Sequence, residues 1–308
     1  MAAPATLARP LRGPGEVIRL MRYARPCLHI EARPDASDIV RLSVPRSPTG
    51  PVHTRPIMQG IFHGPGEGES LFDGRIVLKS GLEQLSVTES WFATARPGAD
   101  LHFHREHADS FYVLEGELAI RIGDEEHLVG PGGTVSAPPG LVHGFRSTMP
   151  TRFLNFHTPD ARFAEHLREV ARGEPGGFDS VDAVSSADGS ASAGVLLQPG
   201  EGEALAANHR VATIKVGTDE LCLIEFELEP THEGPDPHSH TDHTDSFYVL
   251  GGSVNFQLGD ETILAGPGSF VAAPPGVTHA FGTGPNGARL LNIHAPSTGF
   301  HDRLRGMG

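Results

Sequence analysis

Apolar residues occupy every second position at two separate places in the chain, residues 118–122 and residues 254–258. A period of two is typical of a β-strand that buries one face in the core. A Gly-Asp pair follows each run directly, at Gly123 and at Gly259. Such a pair predicts a tight hairpin turn, so each run should be followed by an antiparallel partner strand.

Helical spacing is confined to two short stretches. Phe163, Leu167 and Val170 lie at positions i, i+4 and i+7, and Phe300 with Leu304 repeats this spacing in brief. The 38 glycines and 26 prolines of the chain would interrupt longer helices. The expected fold class is therefore all-β, with a short helix at the end of each half.

The two halves of the chain are copies of one another. The repeated positions are His102, His104, Asp109, Gly116 and His143, which recur 136 positions later as His238, His240, Asp245, Gly252 and His279. The stretch "HADSFYVLEG" returns in this way as "HTDSFYVLGG". A duplication of this length predicts two domains of ordinary size.

The repeat sets the expected domain boundaries. Residues 58–172 and residues 195–308 form the two repeated units, and residues 1–57 match neither copy and are expected to be disordered. Residues 173–194 are small, polar and rich in Gly and Ser, as in a flexible linker. The alternative for the "FDSVD" stretch inside this linker is a lid over one pocket.

The charge and the cysteine content of the chain limit the classes of molecule that it is expected to bind and the environment in which it is expected to fold. With 24 Lys and Arg against 38 Asp and Glu, the net charge is −14, which disfavours nucleic acid and anionic membranes as partners. Two cysteines are too few for a disulfide framework. Because the sequence shows neither a membrane-spanning run nor a signal peptide, we expect a soluble, cytoplasmic protein that binds a small molecule.

The repeated histidines predict a metal site in each unit. His102 and His104 lie two positions apart, so on a strand both side chains leave the same face. The expected ligand sets are His102, His104, Asp109 and His143 in the first unit, and His238, His240, Asp245 and His279 in the second. Imidazoles with one carboxylate suit a divalent transition metal such as Fe, Mn, Ni, Cu or Zn, bound once per unit.

At these residues the chain resembles a bicupin of the cupin superfamily. The usual cupin motifs are G-x5-H-x-H-x3,4-E-x6-G and G-x5-P-x-G-x2-H-x3-N. The stretches "HFHREHADSFYVLEG" and "GGTVSAPPGLVH" follow them in the first unit, and the second unit repeats the match. The resemblance implies two tandem cupin barrels, that is, double-stranded β-helices of the jelly-roll type.

One departure from these motifs bears on which residues bind the metal. Asp109 and Asp245 stand where the family usually has Glu. Two arrangements are then open. Either the aspartate binds the metal together with three histidines, or three histidines bind it and the aspartate supports those ligands or acts as a base. His107 and His243 are alternative ligands.

Two further sets of residues have open roles. The histidines of "LNFH" and "LNIH", His157 and His294, either line the pocket or make structural hydrogen bonds. The phenylalanines beside the ligands are either a dry pocket wall or barrel core, and they are Phe103, Phe111, Phe145, Phe247 and Phe281.

The resemblance to quercetinase-like cupins implies a metal-dependent dioxygenase that joins dioxygen to a small aromatic or enolisable substrate. Asp109 and Asp245 are then the candidate catalytic bases, provided that an apolar wall raises their pKa. The alternatives are a small-molecule-binding or sensory cupin without catalytic activity, and a cupin isomerase. Cupin barrels often associate through edge strands, so a homo-oligomer is also expected.

Overall fold

The computed structural model describes residues 59–183, 193–207 and 209–307. The predicted N-terminal extension, residues 1–57, lies outside the described residues, as does the stretch 184–192 of the predicted linker. No helix in the described ranges is both long and apolar enough to cross a membrane.

The described chain is built almost entirely of antiparallel strands with two short helices, which confirms the predicted all-β class. The elements up to the middle of the chain are β1 (Ile61–His63), β2 (Glu69–Leu71), β3 (Ile76–Leu82), β4 (Leu85–Phe92), β5 (Arg96–Pro97), β6 (His102–Phe103), β7 (Ala108–Glu115), β8 (Leu118–Ile122), β9 (Glu125–Val129), β10 (Thr134–Ala137), β11 (His143–Ser147), β12 (Thr151–Thr158), α1 (Phe163–Ala171) and β13 (Val181–Asp182). Those that follow are β14 (Val195–Leu197), β15 (Glu203–Ala207), β16 (Arg210–Gly217), β17 (Cys222–Leu228), β18 (Thr244–Leu258), β19 (Glu261–Ala265), β20 (Phe270–Ala273), β21 (His279–Ala295) and α2 (Phe300–Arg305).

Each half forms a barrel of two facing sheet surfaces around an apolar core. In the first half, one sheet runs β14-β10-β7-β12-β4-β3-β2 and the other runs β13-β6-β11-β8-β9. In the second half, the long strands β18 and β21 pair with one another along their whole length and so contribute to both surfaces of the barrel. The predicted Gly-Asp hairpins join β8 to β9 and β18 to β19, with the alternating apolar residues buried in the core except for the partly buried Ile122.

The first strand of each half pairs with the other barrel. Ile61–His63 lies antiparallel to β20 of the second barrel, and Val195–Leu197 lies antiparallel to β10 of the first barrel. Each exchanged strand covers the backbone edge of its partner's β10 or β20, which would otherwise be unpaired.

The two barrels share an apolar cluster that includes Leu154 and Phe156 from the first barrel and Leu291 and Ile293 from the second. These residues face outward from their own barrels because side chains alternate across each strand. The repeated units therefore bury a second core between them, in addition to the core inside each barrel.

Candidate metal centres

Strand pairing places the distant histidines of the first barrel side by side. His102 of β6 lies directly opposite His143 of β11 in the sheet register, and their ring centroids are 4.4 Å apart. The same pairing joins His238 to His279 in the second barrel through an isolated bridge, again with 4.4 Å between ring centroids. In each barrel, antiparallel pairing therefore brings together two predicted ligands that are far apart in the sequence.

Both predicted ligand sets come together. In each barrel one ligand atom from each of the four predicted residues lies within 4.8 Å of the others. The first set is wholly buried, whereas His238 and His240 of the second set are only half-buried. The strand β6 ends at Phe103, so His104 lies just beyond it, and neither His238 nor His240 belongs to a strand; the expected common strand face is therefore not observed. Asp109 and Asp245 enter from the first residues of the next strand in the chain.

Backbone carbonyls determine which imidazole nitrogen faces the centre. The Nδ1 atom of His102 lies 2.7 Å from the Asp100 carbonyl oxygen, and Nδ1 of His143 lies 2.9 Å from that of Leu141. A carbonyl oxygen can only accept, so each Nδ1 carries the proton and each Nε2 keeps its lone pair. This is the tautomer that a metal ligand requires.

The second barrel repeats this arrangement. His238 Nδ1 lies 2.9 Å from the Asp236 carbonyl oxygen, and His279 Nδ1 lies 3.1 Å from that of Val277. In both barrels the carbonyl belongs to the residue two positions earlier. The local chain path therefore orients these ligands before any ion binds.

The Nε2 atoms need a cation. His104 Nε2 and His240 Nε2 are buried and have no hydrogen-bond partner. His143 Nε2, whose proton lies on Nδ1, is 3.2 Å from the Asp109 carboxylate oxygen Oδ2. Two lone pairs that face each other in a buried site repel unless a positive charge lies between them. The residues present therefore fit a bound metal ion.

The aspartates reach the centre despite being one methylene shorter than glutamate. Two atoms about 2.1 Å from one ion and at right angles to each other lie about 3 Å apart. Asp245 Oδ2 is 3.1 Å from His279 Nε2 and 3.6 Å from His240 Nε2. Each aspartate thus lies within reach of an ion that the histidines of its own centre would bind.

The pKa of each aspartate moves in the direction opposite to the one that a catalytic base needs. Burial raises the pKa of Asp109, but the facing imidazoles of His157, His104 and His143 lower it more, so the net pKa lies well below the ordinary value. Asp245 behaves in the same way. The raised pKa on which the role of catalytic base depended is therefore not found, because imidazoles rather than an apolar wall surround the carboxylates.

Metal ligation requires neutral imidazoles, and burial favours the neutral form of two histidines at the centres. Burial, followed by the neighbouring His143, lowers the pKa of His102 to about 4. Burial likewise lowers the pKa of His294 to about 4. The pKa of His279 is instead raised, because burial lowers it less than the hydrogen bond and the charge of Asp245 raise it.

His107 and His157 form a hydrogen-bonded pair behind the ligands of the first barrel. His157 Nε2 lies 3.0 Å from Asn155 Oδ1, and His157 Nδ1 lies 2.9 Å from His107 Nε2. Because the Asn155 amide nitrogen donates to Asp109, its Oδ1 accepts, and His157 must accept at Nδ1 from His107. His107 Nε2 therefore has no lone pair for a metal. Among the described residues its Nδ1 has no hydrogen-bond partner, and one ligand atom from each of His104, His107 and His157 lies within 4.8 Å of the others, so His107 stays an alternative ligand.

The second barrel has the same pair. His294 Nδ1 lies 3.0 Å from His243 Nε2, and His294 Nε2 lies 2.9 Å from Asn292 Oδ1. The rings of His157 and His294 stack on Phe163 and Phe300 of the terminal helices. These two histidines make the structural hydrogen bonds that were one of their predicted roles, and they also line the cavities described next.

A cavity opens onto each centre. The cavity at the first centre has a volume of about 430 Å³, and that at the second has about 350 Å³, both within the range of small-ligand pockets. Phe145 and Phe281 line these cavities. Phe111 and Phe247 instead belong to the apolar cores, so these four phenylalanines divide between the two predicted roles, and Phe103 belongs to neither group.

The cupin domain family matches the chain twice, at residues 91–157 and residues 224–294. Each match contains one complete ligand set. The chain is a bicupin of the cupin superfamily.

Relatives of this bicupin include an enzyme of known activity. The quercetin 2,3-dioxygenase of Bacillus subtilis (strain 168) is 22% identical over 273 residues, covering 75% of this chain and 81% of the relative. Among solved structures, an oxalate decarboxylase matches with a TM-score of 0.55 and 14% identity over 79% of each chain. A variant of the Bacillus subtilis oxalate decarboxylase gives a TM-score of 0.54 and 15% identity, again over 79% of each chain. At these identities the structural likeness shows the bicupin fold alone.

All eight predicted ligands are thus brought together, and their binding of metal remains a prediction. Sequence reasoning missed the link that Asn155 and Asn292 make between aspartate and histidine. The repeat of "LN-x-H" was a usable signal for this link, because both letters recur at the same spacing. The lid alternative for the "FDSVD" stretch did anticipate a contact with one of the centres, since Asp179 of this stretch lies against His104.

Proposed function

We propose that this bicupin is a metal-dependent dioxygenase that acts on a small aromatic or enolisable substrate. The observation that carries the proposal is the buried group of Nε2 lone pairs and one carboxylate in each barrel, open on one side to a cavity. The relation to a quercetin 2,3-dioxygenase supports the reaction type. A dioxygenase places both atoms of dioxygen in the product, so it needs no external reductant.

Each centre would hold one divalent ion of Fe, Mn, Ni, Cu or Zn. The first ion would bind His102, His104, His143 and Asp109, and the second would bind the corresponding residues of the other barrel. Such an ion supplies Lewis-acid chemistry and positions where a substrate oxygen and dioxygen can bind. Four protein ligands leave such positions free on an ion that prefers five or six.

The cavity walls suit a flat apolar substrate with a negatively charged oxygen. Phe92, Phe145 and Phe153 line the first cavity, and they can pack against an aromatic ring and exclude water. Arg96 also lines this cavity, with its guanidinium 5.0 Å from the centre of the Phe92 ring. In the second cavity Arg210 lies 5.6 Å from the Phe226 ring centre.

Neither guanidinium has a carboxylate partner within the described parts of the chain, so each can compensate the charge of an anionic substrate. The low pKa of Asp109 makes this aspartate a ligand rather than a base. The substrate would therefore enter already deprotonated, or lose its proton as it binds the metal.

Oxygen uptake tests the proposal. Full-length protein is reconstituted with each of the five metals and assayed with flavonols, β-diketones and catechols. We expect uptake with one substrate class, and loss of at least about 100-fold in the His104→Ala, His240→Ala double variant. The matched control is His127→Ala, because His127 is partly exposed and lies outside both ligand groups.

Two results would count against a dioxygenase. The first is no uptake with any metal and substrate class. The second is release of carbon dioxide from oxalate, assayed in parallel, without consumption of oxygen.

A further inference from the structure

The first centre is crossed by a segment of the predicted linker, residues 178–183, which we call the strap. Its strand β13 pairs with β6, with Asp182 opposite the ligand His102. The Ala183 amide also donates to the Leu101 carbonyl oxygen over 2.9 Å. The strap therefore adds an edge strand to the sheet beside the first ligand.

The strap also contacts the second ligand directly. The Asp179 carbonyl oxygen accepts a hydrogen bond from His104 Nδ1, and this bond leaves the Nε2 lone pair directed at the centre. The Asp179 carboxylate accepts from the Glu106 amide and lies 3.4 Å from His107 Nδ1. The two hydrogen bonds, from His104 and from the Glu106 amide, hold the loop that carries His104 at two points.

The ring of Phe178, the first residue of the strap, packs against the ligand His104. The Phe178 ring lies 5.4 Å from the His104 ring, 5.4 Å from Phe163 and 4.4 Å from His166 of α1. It fills the space between the ligand and the helix, so the His104 side chain is 1% exposed.

The second centre has no such cover among the described residues. The His240 side chain is 19% exposed, and no carbonyl of the described chain accepts from its Nδ1. His243, the counterpart of His107, lies 2.8 Å from its own neighbour Asp242, whose side chain is 66% exposed. Within the described parts of the chain, the first of these repeated centres has its second ligand oriented by a remote segment, and the second centre does not.

We propose that Phe178 and Asp179 are positioning residues that make the first centre hold its metal more tightly and release it more slowly than the second. A hydrogen bond to the rear nitrogen of a ligating histidine fixes the ring and raises its basicity, which typically changes metal affinity by about 10–100-fold. The strap also shields the ligand from water and from competing chelators. This inference depends on the proposed metal centres but not on the reaction that they catalyse.

The experiment measures metal release from the full-length protein loaded with Co²⁺, whose absorption bands report its ligands. Excess chelator is added, and release is followed over time. We expect two phases that differ at least ten-fold in rate. The slow phase alone should remain in His240→Ala and the fast phase alone in His104→Ala.

Strap variants then test the cause. In Phe178→Ala the slow phase should accelerate at least ten-fold while the fast phase stays unchanged, and Phe178→Tyr should restore slow release. Asp179→Ala, which keeps the backbone carbonyl, should give a smaller acceleration. In the His240→Ala background, both alanine variants should shift the Co²⁺ bands, which a loss of global stability alone would not do.

The surface substitution Glu174→Ala is the matched control, since Glu174 pairs with Arg172 at an exposed position before the strap. Equal release rates from both centres of the unaltered protein would overturn the inference, as would a slow phase that is unaffected by Phe178→Ala and Asp179→Ala. Failure of the unaltered protein to retain Co²⁺ at either centre would instead overturn the metal centres themselves.

Discussion

At the scale of single residues, an asparagine determines the direction of each carboxylate. The amide nitrogen of Asn155 donates to Asp109 Oδ1 and to the Ser110 carbonyl oxygen. This leaves Asp109 Oδ2 directed at the imidazoles. Asn292 makes the same contacts to Asp245 and Ser246 in the second barrel. The aspartate is therefore positioned by a partner that also fixes the tautomer of the histidine behind it.

Replacing this asparagine should weaken metal binding without removing a ligand. In Asn155→Ala, Asp109 Oδ1 loses its donor and the carboxylate can rotate away, so we expect about ten-fold weaker metal binding at the first centre. Competition titration with a chelator in the His240→Ala background measures this. Asn292→Ala should leave that affinity unchanged, and an equal loss from both variants would show that the effect is general destabilisation.

At the scale of elements, the glycines that end the first cupin motif are required by backbone geometry. Gly116 and Gly252 have positive φ angles of 76° and 72°. A Cβ atom on Gly252 would lie 2.2 Å from the Gly287 carbonyl oxygen. The strand after each motif therefore turns where neither the φ angle nor the space admits a side chain.

A comparison of Gly259 with Gly252 separates the cost of a positive φ angle from the cost of a steric clash. Gly259 also has a positive φ, 61°, but a Cβ there would meet nothing within 4 Å. Gly259→Ala should lower the free energy of unfolding by about 1–2 kcal/mol from the left-handed conformation alone. Gly252→Ala should cost about 3 kcal/mol or more, because the backbone must also move. Urea unfolding measures both, and similar losses would contradict the steric argument.

At the scale of the whole molecule, charged groups join the two barrels. Tyr112 of the first barrel donates to Glu225 of the second over 2.9 Å, and Arg289 donates to the same carboxylate over 2.6 Å. Lys215, with a side chain that is 2% exposed, lies 3.7 Å from Glu225. The duplicated counterparts Lys79 and Glu89 lie 3.3 Å apart. Each barrel thus presents a buried ion pair at the shared interface.

Removing one member of the pair should destabilise the molecule strongly. In Glu225→Ala the buried Lys215 loses its carboxylate, which typically costs about 3–5 kcal/mol of unfolding free energy. The double variant Lys215→Met, Glu225→Gln should be more stable than Glu225→Ala, because no buried charge is left unpaired. Urea unfolding tests this order of stability, and a double variant that is less stable than the single one would contradict it.

The sequence by itself determined the duplication, the hairpin positions, several of the strands and the residues that come together in the two candidate centres. These follow from local rules: alternation sets strand faces, Gly-Asp sets turns, and His-x-His keeps two imidazoles close together. The residues of each centre could be named because the duplication repeated them at constant spacing while their neighbours varied.

Only the tertiary structure decided which barrel each first strand completes, why the aspartates are ionised, and why the two centres differ. The exchange of Ile61–His63 and Val195–Leu197 depends on edge pairing between barrels, which leaves no local pattern. The pKa of Asp109 depends on imidazoles that are distant in sequence. The contact of Asp179 with His104 joins residues 75 positions apart, so two nearly identical motifs acquire different surroundings through a segment that is not part of the repeat.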